Sequence, residues 1–281
     1  MFKITKNWKE LSPELYTWDK ETKTLYTNED WLVLDFGDCS LVTFKTGSGC
    51  TFITGSCCNF ETSDGCTFRT GDGCTFRTAD DCTFRTGDGC TFDTGSDCIF
   101  DTGSDCTFDT VSRCTFETGS DCVFKTYFNC NFDTGDDCTF STDDVCTFKT
   151  GFDCTFRTSD HCTFRTGDDC AFNTGDNCAF NAGLNCNFET GDDCTFSTDD
   201  DCTFKTGFDC TFRTGDDCTF DTGSNCIFNT GPSCIFNTGP YCVVVRRDIN
   251  EVIEIPENQK IKLNWFKKKW YKEAAEEDKD I

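Results

Sequence analysis

Cys66-Thr67-Phe68-Arg69-Thr70-Gly71-Asp72-Gly73 is one copy of an eight-residue unit that recurs without slipping from about Leu34 to Cys242. Cysteine occupies every eighth position from Cys50 to Cys242, and phenylalanine every eighth position from Phe36 to Phe236. Threonine holds the fifth position of the unit from Thr46 to Thr238, with Ala182 the one exception. A short fixed period marks a solenoid, in which each repeat buries its apolar face only by stacking on its neighbours.

Within the unit, Cys, Phe and the second Thr stand at positions 1, 3 and 5, and the first Thr and a variable residue at positions 2 and 4. Alternation with period two predicts a strand whose inward set is Cys, Phe, Thr. The outward set is Thr with a residue that is mostly Arg, Lys, Asp, Glu or Asn. Positions 6 to 8, Gly-x-Asp, read as a corner: glycine at position 6 permits positive φ, and Asp or Asn bonds its local backbone.

The exceptions indicate how many units close one turn. Glycine at position 6 is replaced at Ser63, Ala79, Val111, Tyr127, Asp143 and Ser159, all separated by multiples of sixteen, while the interleaved corners from Gly55 to Gly167 keep it. The expectation is an all-β, flat two-sided β-solenoid with two eight-residue units per coil and about 13 coils. The later exception, Asp199, follows from an internal duplication, because Asn129 to Gly167 resembles Asn185 to Gly223 at a displacement of seven units. The charges at position 4 do not discriminate: opposite signs slightly outnumber like signs at both sixteen and twenty-four residues.

The chain divides into an N-terminal cap (1–33), the octapeptide solenoid (34–242) and a C-terminal β cap (243–281). In the first cap, Leu15 to Trp18 and Thr24 to Thr27 read as strands around a polar turn, and the aromatics Trp8, Tyr16, Trp18, Tyr26 and Trp31 as a cover for the open end of the Phe ladder. Val243 to Val245, Glu251 to Ile255 and Lys260 to Leu263 read as strands. A short helix is expected from Trp265 to Lys272, followed by an acidic tail.

The formal charge of −25 disfavours nucleic acid, which needs a basic stripe, and an anionic membrane surface. No segment approaches the ~20 apolar residues of a membrane span. Stacked cysteines with parallel Cβ vectors suit a disulfide poorly, so the thiols read as a ladder of small buried apolar groups in a reducing compartment. The charged start leads into no apolar signal segment, and a cytoplasmic or virion-associated location follows as the expectation.

Chemistry is sparse. His161 is the one histidine, and it stands at a corner with no nucleophile to activate. No Cys-x-x-Cys pair suggests zinc, and corner acids such as Asp136-Asp137 and Asp216-Asp217 read as solvated turn residues. No catalytic residue, cofactor site or metal site is expected. Phe128, Phe152, Leu184 and Phe208 place apolar groups at corner position 7, and these are the candidate contacts for a protein partner or for self-association.

From Cys58-Asn59-Phe60-Glu61-Thr62 through Cys234-Ile235-Phe236-Asn237-Thr238-Gly239, the chain resembles the Cys-Thr-Phe-x-Thr-Gly octapeptide-repeat proteins of phages and large DNA viruses. The resemblance covers about three-quarters of the chain. It implies a β-solenoid and a viral setting but no activity. Three functional expectations follow. The first is a non-enzymatic structural or interaction module, a rigid spacer or display surface. The second is ice binding through outward Thr columns, as in beetle antifreeze solenoids, although the companion column of Arg69, Arg85, Asp101 and Glu117 is charged. The third is an acidic DNA mimic of the pentapeptide-repeat kind, interrupted by Arg69, Arg77 and Arg85.

Overall fold

The computed structural model describes residues 2–231, 233–246, 251–256, 259–262 and 271–272. The chain forms two compact units, Met1–Thr150 and Gly151–Ile281. Both are built mainly from three- or four-residue strands that begin at position 2 of the repeat, laid in two parallel sheets. The rungs are sixteen residues apart from Thr43 onward, the first rungs being wider, with Val33 beside Thr51 and Thr24 beside Thr43. Two repeats therefore make one turn, and the solenoid has about 14 turns in all.

In the first unit one sheet runs from Leu32–Asp35 through Thr51–Ile53, Thr67–Arg69 and Thr83–Arg85 to Thr147–Lys149. The other runs from Thr24–Tyr26 through Thr43–Lys45, Asn59–Glu61 and Thr75–Arg77 to Thr139–Ser141. The register places like on like: Phe68 pairs with Phe84, and Arg69 with Arg85. The second unit repeats the scheme. One of its sheets carries Thr163–Arg165 to Ile227–Thr230 and Val243–Arg246. The other carries Thr155–Arg157 to Ile235–Thr238.

Alternation explains the burial. Phe at position 3 points inward and is almost wholly buried in every turn. Along one sheet the rings lie parallel, as in Phe92 and Phe108 with centroids 4.8 Å apart and planes 2° apart. Across the sheets they meet edge to face, as in Phe100 and Phe108 at 5.2 Å and 78°. Both arrangements suit the ring quadrupole, so one residue type can stack through the centre of every turn. The cysteines at every eighth position from Cys50 to Cys242 are buried beside the rings, and all 27 cysteines are free thiols. Most of the ladder sulfurs sit against a carbonyl nineteen residues back, as Cys106 Sγ to Gly87 O at 3.7 Å. This is the reduced ladder that the spacing predicts.

The corner differs from the expectation in one respect. Glycine at position 6 does not have positive φ. The left-handed residue is position 8, from Leu41 (61°) to Tyr241 (62°), and it includes Asp97, Arg113, Val145 and His161. Asp and Asn are common there because their short polar side chains tolerate that region. The turn aims the position-8 N–H along the solenoid axis, where Asp97 N–H donates to Ser112 O at 3.0 Å.

Position 6 is glycine for a different reason. Asp88 Oδ1 accepts the N–H of Ser104 from the next turn at 2.9 Å. A Cβ on Gly103 would fall on that carboxylate and on the Asp88 backbone. The same holds at Gly87 against Asp72 and at Gly191 against Asp176.

The ends depart from the repeat. Lys3–Lys6 and Lys9–Glu10 form a hairpin that the sequence did not suggest, and the first strand pairs antiparallel with Leu32–Asp35. Thr17–Asp19 and Thr24–Tyr26 form the expected hairpin around the polar turn. Phe2 stacks on Phe36 at 4.5 Å, and Trp18 lies 6.1 Å from the same ring, so these two cover the end of the ladder. Trp8 and Trp31 do not, contrary to the reading of all the cap aromatics as a lid. At the other end Glu251–Glu254 pairs antiparallel with Val243–Arg246, and Ile261–Lys262 with Ile235–Thr238. Tyr271–Lys272 is a strand on Ile261–Lys262 rather than the end of a helix. The rest of the expected helix, from Trp265 to Trp270, and the acidic tail lie outside the described residues.

Candidate functional site

The outer faces carry two columns each. Thr at position 2 stands beside the position-4 residue, and in the register of the sheets position 4 meets position 4 of the next turn. Arg85 reaches Asp101 at 3.1 Å, Lys125 reaches Asp109 at 2.8 Å and Lys149 reaches Asp133 at 2.6 Å. Lys205 does the same with Glu189 at 2.6 Å. These position-4 ion pairs all lie sixteen residues apart, a choice that the charge pattern along the chain leaves open. These pairs are exposed and add little stability. Their consequence is electrostatic: many of the face carboxylates are neutralised by a neighbouring rung.

Corner acids are also committed. Position-7 side chains cap a backbone N–H one turn on, as Asp160 does for Asp176 and Asp200 for Asp216, both at 2.8 Å. Among the described residues no group of three or more His, Cys, Asp or Glu side chains is placed to hold a metal ion. His161 lies at a position-8 corner with φ 58° and an exposed side chain.

The thiols form a shared ladder. Cys114 is pushed up to about 11 by its bond to the Cys130 sulfur and by burial, against an opposing contact with Cys98. Cys82 is raised to about 11 in the same way, first by Cys66. Elsewhere the mutual bonds push neighbours in opposite directions: Cys58 is lowered to about 6 by its bond to Cys74, which is itself raised by that bond, while burial disfavours a thiolate at both. Only Cys39 and Cys57 are exposed.

The four apolar corner residues named from sequence are all exposed, but they do not form one patch. In the second unit Phe152 and Leu184 precede strands of one sheet, two turns apart on one edge, with Asp168 between them accepting the Leu184 N–H at 3.0 Å. Phe208 precedes Thr211–Arg213 of the other sheet and so stands at the opposite edge. Phe128 belongs to the first unit, where it has company that sequence reading did not collect. Val111 and Tyr127 stack in one position-6 column, with Tyr127 N–H donating to Val111 O at 2.8 Å. Phe128 and the left-handed Val145 lie at the same edge, and all four side chains are about half exposed. The signal was present as non-glycine residues at sixteen-residue spacing, but it was read only for the turn count.

The N-terminal end of the first unit holds two concavities. One, of about 460 Å³, is lined by Phe2, Trp18, Lys20, Lys23, Phe36, Cys39, Ser40 and Val42. The second, of about 380 Å³, is lined by Lys3, Thr5, Asn7, Trp8, Trp31, Val33 and Asp35. No helix among the described residues is long and apolar enough to cross a membrane. No protein-family model, curated protein or solved structure matches the chain.

Proposed function

We propose that the protein is a non-enzymatic interaction module, a rigid β-solenoid that displays apolar corners to a protein partner or to a second copy of itself. The observation that carries this reading is the placement of Phe128. At position 7 its neighbours along the repeat are mostly Asp and Ser, which accept a backbone N–H from the next turn. A phenyl ring forgoes that bond, worth roughly 0.5–1.5 kcal/mol, and exposes apolar surface instead. Phe152, Leu184 and Phe208 make the same substitution. A residue that forgoes a bond and still leaves about half its apolar surface exposed is explained by a contact outside the chain. The resemblance to octapeptide-repeat proteins of phages and large DNA viruses supports placing such a module in a cell's reducing interior or on a virus particle.

The other two readings draw less support. Ice binding wants a second outward Thr column, and here position 4 is charged while the position-5 threonines face inward. A DNA mimic wants an unbroken anionic face, and ion pairs such as Lys45 with Glu61 at 2.7 Å interrupt it.

The test compares the full chain with a variant carrying Phe128→Asp, Phe152→Asp, Leu184→Asp and Phe208→Asp. Sedimentation velocity reports self-association, and cross-linking in host extract reports hetero-complexes. The reading expects a complex with the native chain that the variant loses while its circular dichroism is unchanged. A native chain that forms no complex, or a variant that keeps it, refutes the reading.

A further inference from the structure

Two tryptophans in the first unit are held in costly conformations and left in solvent. Lys3–Lys6 and Lys9–Glu10 pair with Lys6 opposite Lys9, so Asn7 and Trp8 are the two loop residues of a tight hairpin. Both have positive φ, 52° and 66°. That is the signature of a type I′ turn, whose favoured sequence is Asn-Gly. Tryptophan takes the glycine place, where a bulky side chain is an outlier, and it is 100% exposed, so no packing offsets the strain. Trp31 is also left-handed, at φ 60°, and 69% exposed. Its ring rests over Gly49, where a Cβ would collide with the indole, so one side of the ring is supported and the rest is open. Backbone strain without an internal return is a mark of a binding site.

The surroundings indicate the ligand. Antiparallel pairing sets Lys3 opposite Asp35 and Thr5 opposite Val33, with Ile4 and Leu34 turned into the core. The outward row and the two indoles line the groove of about 380 Å³. Asp35 Oδ1 accepts the Gly37 N–H at 3.0 Å, which leaves its second oxygen facing outward contacts. Lys3 and Asn7 make no side-chain hydrogen bond among the described residues, so ammonium and amide groups remain for a ligand. One cation and one anion balance, and with the hydroxyl and amide they supply donors and acceptors in a mixed array. Such an array does not suit a phosphate, which Asp35 would repel, and a concave groove does not suit a flat lipid surface. It suits a neutral, polyhydroxylated ring with one apolar C–H face.

The geometry points to a glycan-binding site between Trp8 and Trp31, taking a neutral pyranose that stacks on the indoles while Lys3, Asn7 and Asp35 bind its hydroxyls. The site is separate from the apolar corners, so its failure leaves the interaction-module reading untouched.

The experiment titrates the full chain by calorimetry with cellohexaose, maltohexaose, chitohexaose and mannohexaose. Trp8→Gly installs the favoured turn pair and is expected to keep or raise the melting temperature while weakening binding of the accepted sugar at least tenfold. Trp31→Ala provides the second arm, with a similar loss and unchanged circular dichroism. Absence of binding to all four sugars overturns the proposal, as does full affinity in Trp8→Gly. A proline-rich peptide or a phosphatidylserine vesicle that binds in place of every sugar, and is lost with Trp8→Gly, also overturns it.

Discussion

Asp88 and Gly103 are fifteen residues apart in the chain and occupy one corner of the solenoid. The Asp88 carboxylate accepts the N–H of Ser104 at 2.9 Å, and the missing side chain of Gly103 is the space through which it reaches. The pairing accounts for the loss of glycine at some corners but not at Ala79, where Asp64 Oδ1 still accepts the Asp80 N–H, at a longer 3.3 Å. Before Tyr127 the preceding turn offers Ser112, whose hydroxyl is buried without a partner. Before Asp199 it offers Leu184, which has no acceptor to fit.

Gly103→Ala is therefore expected to destabilise the protein, by roughly 0.5–1.5 kcal/mol, the range for an exposed hydrogen bond lost. Elsewhere a glycine with ordinary φ would gain about 0.4–1 kcal/mol on the same change. In an Asp88→Ala background the penalty should disappear or reverse. A double-mutant cycle read by chemical denaturation checks this, and additive effects of the two changes would refute the coupling.

Val145 is a β-branched residue at φ 61°, half exposed, in a column that holds Asn129 and Arg113. Left-handed backbone costs such a side chain roughly 1–2 kcal/mol. Val145→Asn should raise the melting temperature. A fall would mean that the valine side chain contributes more at this corner than its strain removes.

Phe108 stacks between Phe92 and Phe124 and meets Phe100 and Phe116 edge to face. Phe108→Ala should cost about 3–5 kcal/mol, as for a buried ring replaced by a cavity. Hydrogen exchange should show the loss of protection centred on the neighbouring rungs, because each turn of a solenoid contacts only the next. A uniform loss across the first unit would contradict that picture.

Thiol chemistry separates the ladder from the surface. With Cys39 and Cys57 the exposed cysteines among 27, an aromatic disulfide reagent should label two thiols in the native chain and the remaining 25 only on unfolding. Raising pH should then weaken the part of the ladder around Cys82 and Cys114. Cys82 and Cys114 are lifted from an ordinary value of 9.0 to about 11, so the folded state keeps protons that the unfolded chain releases. The associated stability is complete below pH 9.0 and is lost as pH rises toward about 11. Thermal melts from pH 7 to pH 11 measure it, and a flat profile would show that these two thiols do not stay protonated.

Much of the architecture was legible in the order of residues. Period-two alternation assigned Cys, Phe and Thr inward, because a pleated strand leaves a side chain no other choice of face. The sixteen-residue spacing of Ser63, Ala79, Val111 and Tyr127 announced two units per turn. The corner chemistry was not legible. Glycine at position 6 and the left-handed residue at position 8 look interchangeable in one dimension, since either could supply a positive φ. Similarly, nothing local distinguishes Trp18, which covers the ladder, from Trp8, which sits in solvent.

Sequence alone thus determined the winding, the core and the buried free thiols, since each follows from a pattern read between neighbours along one strand. The contacts between residues sixteen apart were decided by the closed coil: which carboxylate fills which glycine gap, which charges pair and which aromatics form a patch. Those contacts are absent from any extended stretch of chain and arise only when successive turns stand about 4.8 Å apart.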